Sequence, residues 1–162
     1  MQQPAAGPSE PVPEIVAVKR TVTAAVRDTV PQADLPSFYD ASFRALAQAI
    51  ETQGVQITGP AFGLFHGASG DPADIEVGFP TDRPIEPDGG VAPGALPGGR
   101  VVRMVHAGAF DGLPASWARL FAWVGEQSLN PAPLQWEVYL TEPSPDMNPD
   151  DLRVELNLPV EG

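Results

Sequence analysis

The chain has 162 residues, 43% of them hydrophobic, which is enough to bury the core of one domain. Nine basic and 21 acidic residues give a formal net charge of −12, a surface that repels nucleic acid and anionic membranes. The absence of cysteine excludes disulfides, thiolate metal sites and cysteine nucleophiles, and fits a cytoplasmic location.

The first 13 residues are rich in Gln, Pro and Ala and lack the basic-then-apolar pattern of a signal peptide. We predict that residues 1–13 are disordered and precede a single domain over residues 14–162. No apolar run approaches the roughly 20 residues of a membrane span, so no membrane partner is expected.

The first half of the domain predicts a β-α-β-β module over residues 14–81. Its predicted elements are a strand at 14–26, a helix at 35–53 and strands at 55–66 and 71–80. The strands alternate β-branched or aromatic residues with polar ones, whereas the helix repeats apolar residues at helical spacing. Gly54 suits the C-terminal stop of the helix, and Pro80 ends the last strand.

Residues 82–99 are rich in Pro and Gly and predict a long exposed linker. A second β-α-β-β module over residues 100–160 follows, with strands at 100–106, 134–141 and 152–160 and a helix at 113–127.

The two halves resemble each other in detail as well as in element order. Residues 75–80 (IEVGFP) align with residues 154–159 (VELNLP), each a strand with one acidic residue and a terminal proline. The predicted fold is therefore α+β, with two tandem modules related by a pseudo-two-fold axis. Antiparallel sheets carry one long helix per module, and a ligand cleft lies between the modules.

The strand at 134–141 places a carboxylate two residues from a phenol ring. Because side chains alternate along a strand, one face carries Leu134, Trp136, Val138 and Leu140 and the other Gln135, Glu137, Tyr139 and Thr141. The first face is predicted to be core. The second could line a cleft in which Glu137 meets a cationic ligand, or could expose Glu137 to solvent.

Aromatic residues at matching places in the two halves are candidate cleft walls. Tyr39 and Trp117 lie early in the two predicted helices, and Phe62 and Phe65 lie on the strand that corresponds to the Glu137 strand. Aromatic residues at helical spacing more often pack in the core than line a ligand site, so core packing is the alternative.

The segment QWEVYLTEP, residues 135–143, resembles the characteristic strand of the GyrI-like small-molecule-binding domain family. A short loop and a last strand ending in Leu158-Pro159 follow it, and the resemblance covers residues 14–160. This family includes effector-binding domains of drug-sensing transcription activators and single-domain proteins.

The resemblance implies an aromatic-lined drug-binding cleft between the modules with a glutamate at its base, and Glu137 matches that glutamate. The ligand-binding residues expected from position and resemblance together are Glu137, Tyr139, Tyr39, Phe62, Phe65 and Trp117. Several family members bind bulky lipophilic cations, so a lipophilic, cationic small molecule is the expected partner.

Other relatives hydrolyse cyclopropane-containing toxic metabolites, and in that alternative Glu137 and Tyr139 would be catalytic. Family pockets are often rich in tyrosine, whereas this chain has two tyrosines. A protein-interaction module is a further alternative. The chain shows no basic DNA-binding module, so direct binding to nucleic acid is not expected.

No metal or other cofactor is expected. His66 and His106 are 40 residues apart and have no ligand partners at zinc spacing, and the glycines lack phosphate-loop spacing. The identity of the ligand and the oligomeric state are left open by the sequence.

Overall fold

The computed structural model describes residues 12–67, 72–141 and 148–161. The predicted disordered segment 1–13 lies outside the described residues except for its last two. Two α-helices are present in the described residues, α1 at Leu35–Gln53 and α2 at Leu113–Glu126. The strands are β1 Glu14–Val18, β2 Thr21–Val30, β3 Phe62–His66, β4 Ala73–Pro80, β5 Ala92–Leu96, β6 Gly99–Ala107, β7 Asn130–Pro131, β8 Leu134–Tyr139 and β9 Arg153–Glu161.

Both helices occur where their apolar spacing predicts them, and local signals set their ends. Each has a proline in its first turn, Pro36 or Pro114, where the missing N–H costs no hydrogen bond. Gly54 ends α1 in the left-handed conformation with φ 67°, as predicted. In the described part of the chain, neither helix is long and apolar enough to cross a membrane.

The strands form one curled antiparallel sheet in the order β1-β6-β9-β8-β3-β4-β2-β5, with β7 pairing beside β9. The pairing of β8 with β3 joins the two halves at the centre of this order. The predicted α+β class with one long helix in each half is confirmed. The pseudo-two-fold relation between the modules and the division at residues 82–99 stay predictions.

The first predicted strand, residues 14–26, is wrong as a single element. It is two strands separated by Lys19 and Arg20: β1 pairs with β6 and β2 pairs with β4, towards opposite ends of the sheet order. Because only two residues join these strands, the two ends of the sheet must approach each other. This short connection accounts for the curl.

Residues 82–99, predicted as an exposed linker, contain the strand β5, which pairs with β2 at the edge of the sheet. Pro93 and Gly94 lie within it, and an edge strand tolerates proline because one side of its backbone needs no ladder partner. Ile85 and Val91 of the same stretch are buried. Because this stretch is rich in Pro and Gly, the sequence predicted neither the strand nor the two core residues.

Among the described residues, three buried clusters hold the fold together. One packs α1 on β2 and β4 through residues such as Leu46 and Ile75, and one packs α2 on β6 and β9 through residues such as Leu120 and Leu156. The third fills the inside of the curl and includes Phe62 and Trp136. Both helices thus cover the same face of the sheet, and the central strands β8 and β3 lie between them.

Candidate functional site

Glu137 lies at the centre of the sheet on the face that carries the helices. It is opposite Gly63 in the register of β8 and β3, and its side chain points between α1 and α2. Glu137 is 7% exposed, which is unusual for a carboxylate. Among the described residues no lysine, arginine or histidine forms an ion pair with it.

Both carboxylate oxygens of Glu137 accept hydrogen bonds from aromatic side chains. The indole N–H of Trp117 donates to Oε2 at 2.7 Å, and the hydroxyl of Tyr139 donates to Oε1 at 3.0 Å. The hydroxyls of Tyr139 and Tyr39 are 2.8 Å apart, and because Tyr139 donates to Glu137, Tyr39 donates to Tyr139. An indole can only donate, so this arrangement suits an ionised carboxylate.

Burial raises the pKa of Glu137, and the hydrogen bonds from Trp117 and Tyr139 oppose this effect in part. The nearby His106 also favours the ionised form. Burial likewise raises the pKa of both tyrosines, so their hydroxyls keep their protons at neutral pH. In the part of the chain that the structure describes, no cationic side chain forms an ion pair with this buried carboxylate, an arrangement that is unfavourable unless a cation binds to it directly.

A cavity of about 800 Å³, here called the main cleft, opens above Glu137 between the two helices. Its size falls within the usual range for small-molecule sites. The sheet contributes the floor, and the helices and the turn before α2 contribute the walls. Its lining includes Tyr39, Phe65, Phe110, Trp117, Phe121, Gln135, Glu137 and Tyr139.

A family model described as GyrI-like small molecule binding domain matches residues 12–161. This chain belongs to the GyrI-like family. Membership makes it a small-molecule-binding domain, in agreement with the cleft and with the sequence resemblance. No curated protein matches the chain significantly.

Solved structures share the GyrI-like fold at low sequence identity. The C-terminal domain of EcmrR is 18% identical with a TM-score of 0.83, over 93% of this chain and 98% of that one. In the EcmrR–DNA complex, this chain spans 57% of the longer EcmrR chain, with a TM-score of 0.81.

Two further solved structures share this fold. SAV2435, solved bound to tetraphenylphosphonium, is 12% identical with a TM-score of 0.66, over 93% of this chain and 94% of that one. A hydrolase from Listeria innocua is 18% identical with a TM-score of 0.60, over 92% and 91%. At such identities the likeness shows the fold alone.

Five of the six predicted ligand-binding residues line the main cleft of this GyrI-like domain: Glu137, Tyr139, Tyr39, Phe65 and Trp117. The exception is Phe62. It is 1% exposed and packs with Trp136 inside the curl, on the opposite face of the sheet. Phe62 and Phe65 are an odd number of residues apart on one strand, so they cannot share a face.

Gly63 and Phe110 contribute to the site but were not among the predicted ligand-binding residues. A Cβ on Gly63 would lie 2.7 Å from the hydroxyls of both Tyr39 and Tyr139, so the glycine provides the space in which they meet. A glycine inside a strand can mark such a close approach. The ring of Phe110 lies 6.4 Å from that of Tyr139 and stands at the cleft mouth, in the turn at Phe110–Gly112, which the sequence predicts without showing that it faces the cleft.

Proposed function

We propose that this GyrI-like domain binds lipophilic cations in the main cleft, with Glu137 as the counter-charge. The observation that carries this proposal is a buried carboxylate with two aromatic hydrogen-bond donors and no ion-pair partner in the described residues. A cation above it would offset the unfavourable burial of the negative charge.

The aromatic walls supply the rest of the binding free energy. Apolar surface removed from water contributes about 25 cal/mol per Å², and each well-placed ring adds roughly 0.5–2 kcal/mol by cation–π attraction. Tyr39, Trp117 and Phe110 present rings to the cavity. Neither contribution requires a close hydrogen-bond match, so we expect broad specificity within this class of ligand. The tetraphenylphosphonium bound to SAV2435 is a ligand of this class.

A pair of ligands that differ mainly in charge tests the proposal. Tetraphenylphosphonium and tetraphenylborate have nearly the same shape and opposite charge. We expect the cation to bind at least about tenfold more tightly by calorimetry, a difference of about 1.4 kcal/mol. The preference should persist at about 0.5 M salt, because a buried charge is screened much less than the acidic surface.

Equal affinities for tetraphenylphosphonium and tetraphenylborate would contradict the role of Glu137 as the counter-charge. A preference that vanishes with salt would assign it to the net charge of −12 rather than to Glu137.

Hydrolysis in the same cleft is the second candidate, favoured by the Listeria innocua neighbour described as a hydrolase. Glu137 has a pKa raised by burial and accepts a hydrogen bond from Tyr139, a pairing that can serve general acid–base chemistry on a strained electrophile. Product analysis with a cyclopropane-bearing compound separates the two candidates, because binding alone returns the compound unchanged.

A further inference from the structure

A second cavity of about 600 Å³ lies beside the main cleft, and we call it the side compartment. Tyr39, Tyr139 and Phe110 line both cavities and form the wall between them. The other residues of the side compartment do not line the main cleft: Asp40, Phe43, Pro60, Ala61, Phe79 and Leu140. The helix face of the sheet therefore carries two adjoining cavities.

The hydrogen bonds that connect Tyr39 to Tyr139 and Tyr139 to Glu137 also hold this wall in place. The hydroxyls of Tyr39 and Tyr139 meet at 2.8 Å, and their rings pack edge to face with centroids 6.1 Å apart. Phe110 extends this wall by packing edge to face on Tyr139. Because the hydroxyl of Tyr39 donates to Tyr139 and that of Tyr139 donates to Glu137, the wall presents mainly ring surface to the side compartment.

The side compartment is aromatic, and none of its described lining residues carries a buried charge. Phe43 and Phe79 pack edge to face at 5.4 Å, and the ring of Phe43 lies 6.0 Å from that of Tyr39. Leu140, 45% exposed, continues the apolar surface to the rim. Among the described residues of its lining, Asp40 is the single ionisable one apart from the tyrosines; it is exposed, and an exposed ion pair contributes little to binding.

The geometry points to a second binding site: the side compartment takes an uncharged aromatic group while the main cleft holds a cation. That group is a separate molecule or the far end of one long cation. The pairing with a cation rests on the proposed function. The side compartment itself is inferred from its own lining, so the two proposals can fail independently.

Two alanines allow each cavity to be filled separately. Ala61 lines the side compartment alone, and Ala118, an exposed residue of α2, lines the main cleft alone. The probe is the uncharged fluorophore N-phenyl-1-naphthylamine, titrated with tetraphenylphosphonium at saturation. We expect Ala61→Phe to weaken the fluorophore about tenfold and tetraphenylphosphonium less than about twofold. Ala118→Phe should do the reverse, weakening tetraphenylphosphonium about tenfold and the fluorophore less than about twofold.

A second variant tests the side compartment independently, in case Ala61→Phe does not fold. Leu140→Gln changes an exposed rim residue, and we expect it to weaken the fluorophore about threefold without changing tetraphenylphosphonium binding. Unfolding curves of all three variants confirm that they are folded.

The outcomes separate the two sources of the aromatic group. Simultaneous binding of both probes indicates a second molecule. If tetraphenylphosphonium excludes the fluorophore, the next ligand to titrate is (1-naphthylmethyl)triphenylphosphonium, which joins a cation to an uncharged aromatic group. If Ala61→Phe weakens binding of this compound but not of tetraphenylphosphonium, the aromatic group is the far end of one long ligand. The inference is overturned if Ala61→Phe and Leu140→Gln leave both aromatic probes unchanged. If tetraphenylphosphonium does not bind at all, the proposed function fails, and the fluorophore titrated alone tests the side compartment with the same variants.

Discussion

Glu137→Gln is expected to weaken tetraphenylphosphonium binding and, at the same time, to stabilise the free protein. The expected loss of affinity is roughly 10- to 100-fold, about 1.4–2.7 kcal/mol, because the substitution removes the charge and keeps the shape. Gln can still accept the hydrogen bond from Trp117 and donate one to the Tyr139 oxygen. Calorimetric titration measures the affinity, and urea unfolding measures the stability.

The stabilisation follows from the direction of the Glu137 pKa shift. Burial raises this pKa in the folded protein, so ionised Glu137 opposes folding at neutral pH, and Gln relieves that penalty by an amount on the order of 1 kcal/mol. The stability difference between variant and wild type should shrink as the pH falls through the raised pKa. The stability difference should disappear below the ordinary glutamate pKa of about 4.3, where Glu137 is protonated in both the folded and the unfolded wild type.

Glu126→Gln is the matched control for Glu137→Gln. It makes the same change in net charge at an exposed position of α2 outside the cleft. Its affinity for the cation should stay within about twofold of wild type. Equal losses in both variants would attribute cation binding to the acidic surface, and no loss in either would remove Glu137 from the site.

Gly78→Ala is expected to lower the free energy of unfolding by about 3 kcal/mol or more. Gly78 lies in β4, and a Cβ there would collide with the backbone carbonyl oxygen of Ala24 in β2. Backbone atoms of a paired strand cannot move aside as a side chain can. The strands would separate beneath α1, which packs on both and carries Tyr39 into the cleft. Urea unfolding of the purified variant measures the effect.

Gly125→Ala controls for the general effect of replacing a glycine. Gly125 is an exposed residue of α2, and a Cβ there would meet no atom within 4 Å. We expect this variant to be more stable than wild type by roughly 0.5–1 kcal/mol, because alanine favours a helix. Wild-type stability in Gly78→Ala would show that β2 and β4 can separate without loss.

Elements defined by local signals could be predicted from the sequence. The bounds of α1 match residue for residue, and α2 ends one residue before the prediction, because a continuous apolar stripe and first-turn prolines mark both helices. The face of β8 that carries Glu137 and Tyr139 follows from alternation alone. The core strands β4, β6 and β9 were placed within two residues for the same reason.

Features that depend on distant partners could not be predicted. The alternation of β1 continues into β2, and only the pairing of Glu14–Val18 with β6 shows where the strand breaks. The hydrogen bond between Tyr39 and Tyr139 joins residues 100 positions apart. Leu140 was predicted in the core, but β8 ends at Tyr139 and leaves it exposed. Phe62 was an avoidable error, since strand parity already separates it from Phe65.

The protonation of Glu137 with and without a bound cation is the most direct test of its role as the counter-charge. Its carboxyl carbon can be followed by NMR in ¹³C-glutamate-labelled protein, assigned by comparison with Glu137→Gln. In the free protein its pKa should lie above that of an ordinary glutamate, and saturating tetraphenylphosphonium should lower it, because a cation stabilises the ionised form. The same titration midpoint with and without the cation would contradict the account.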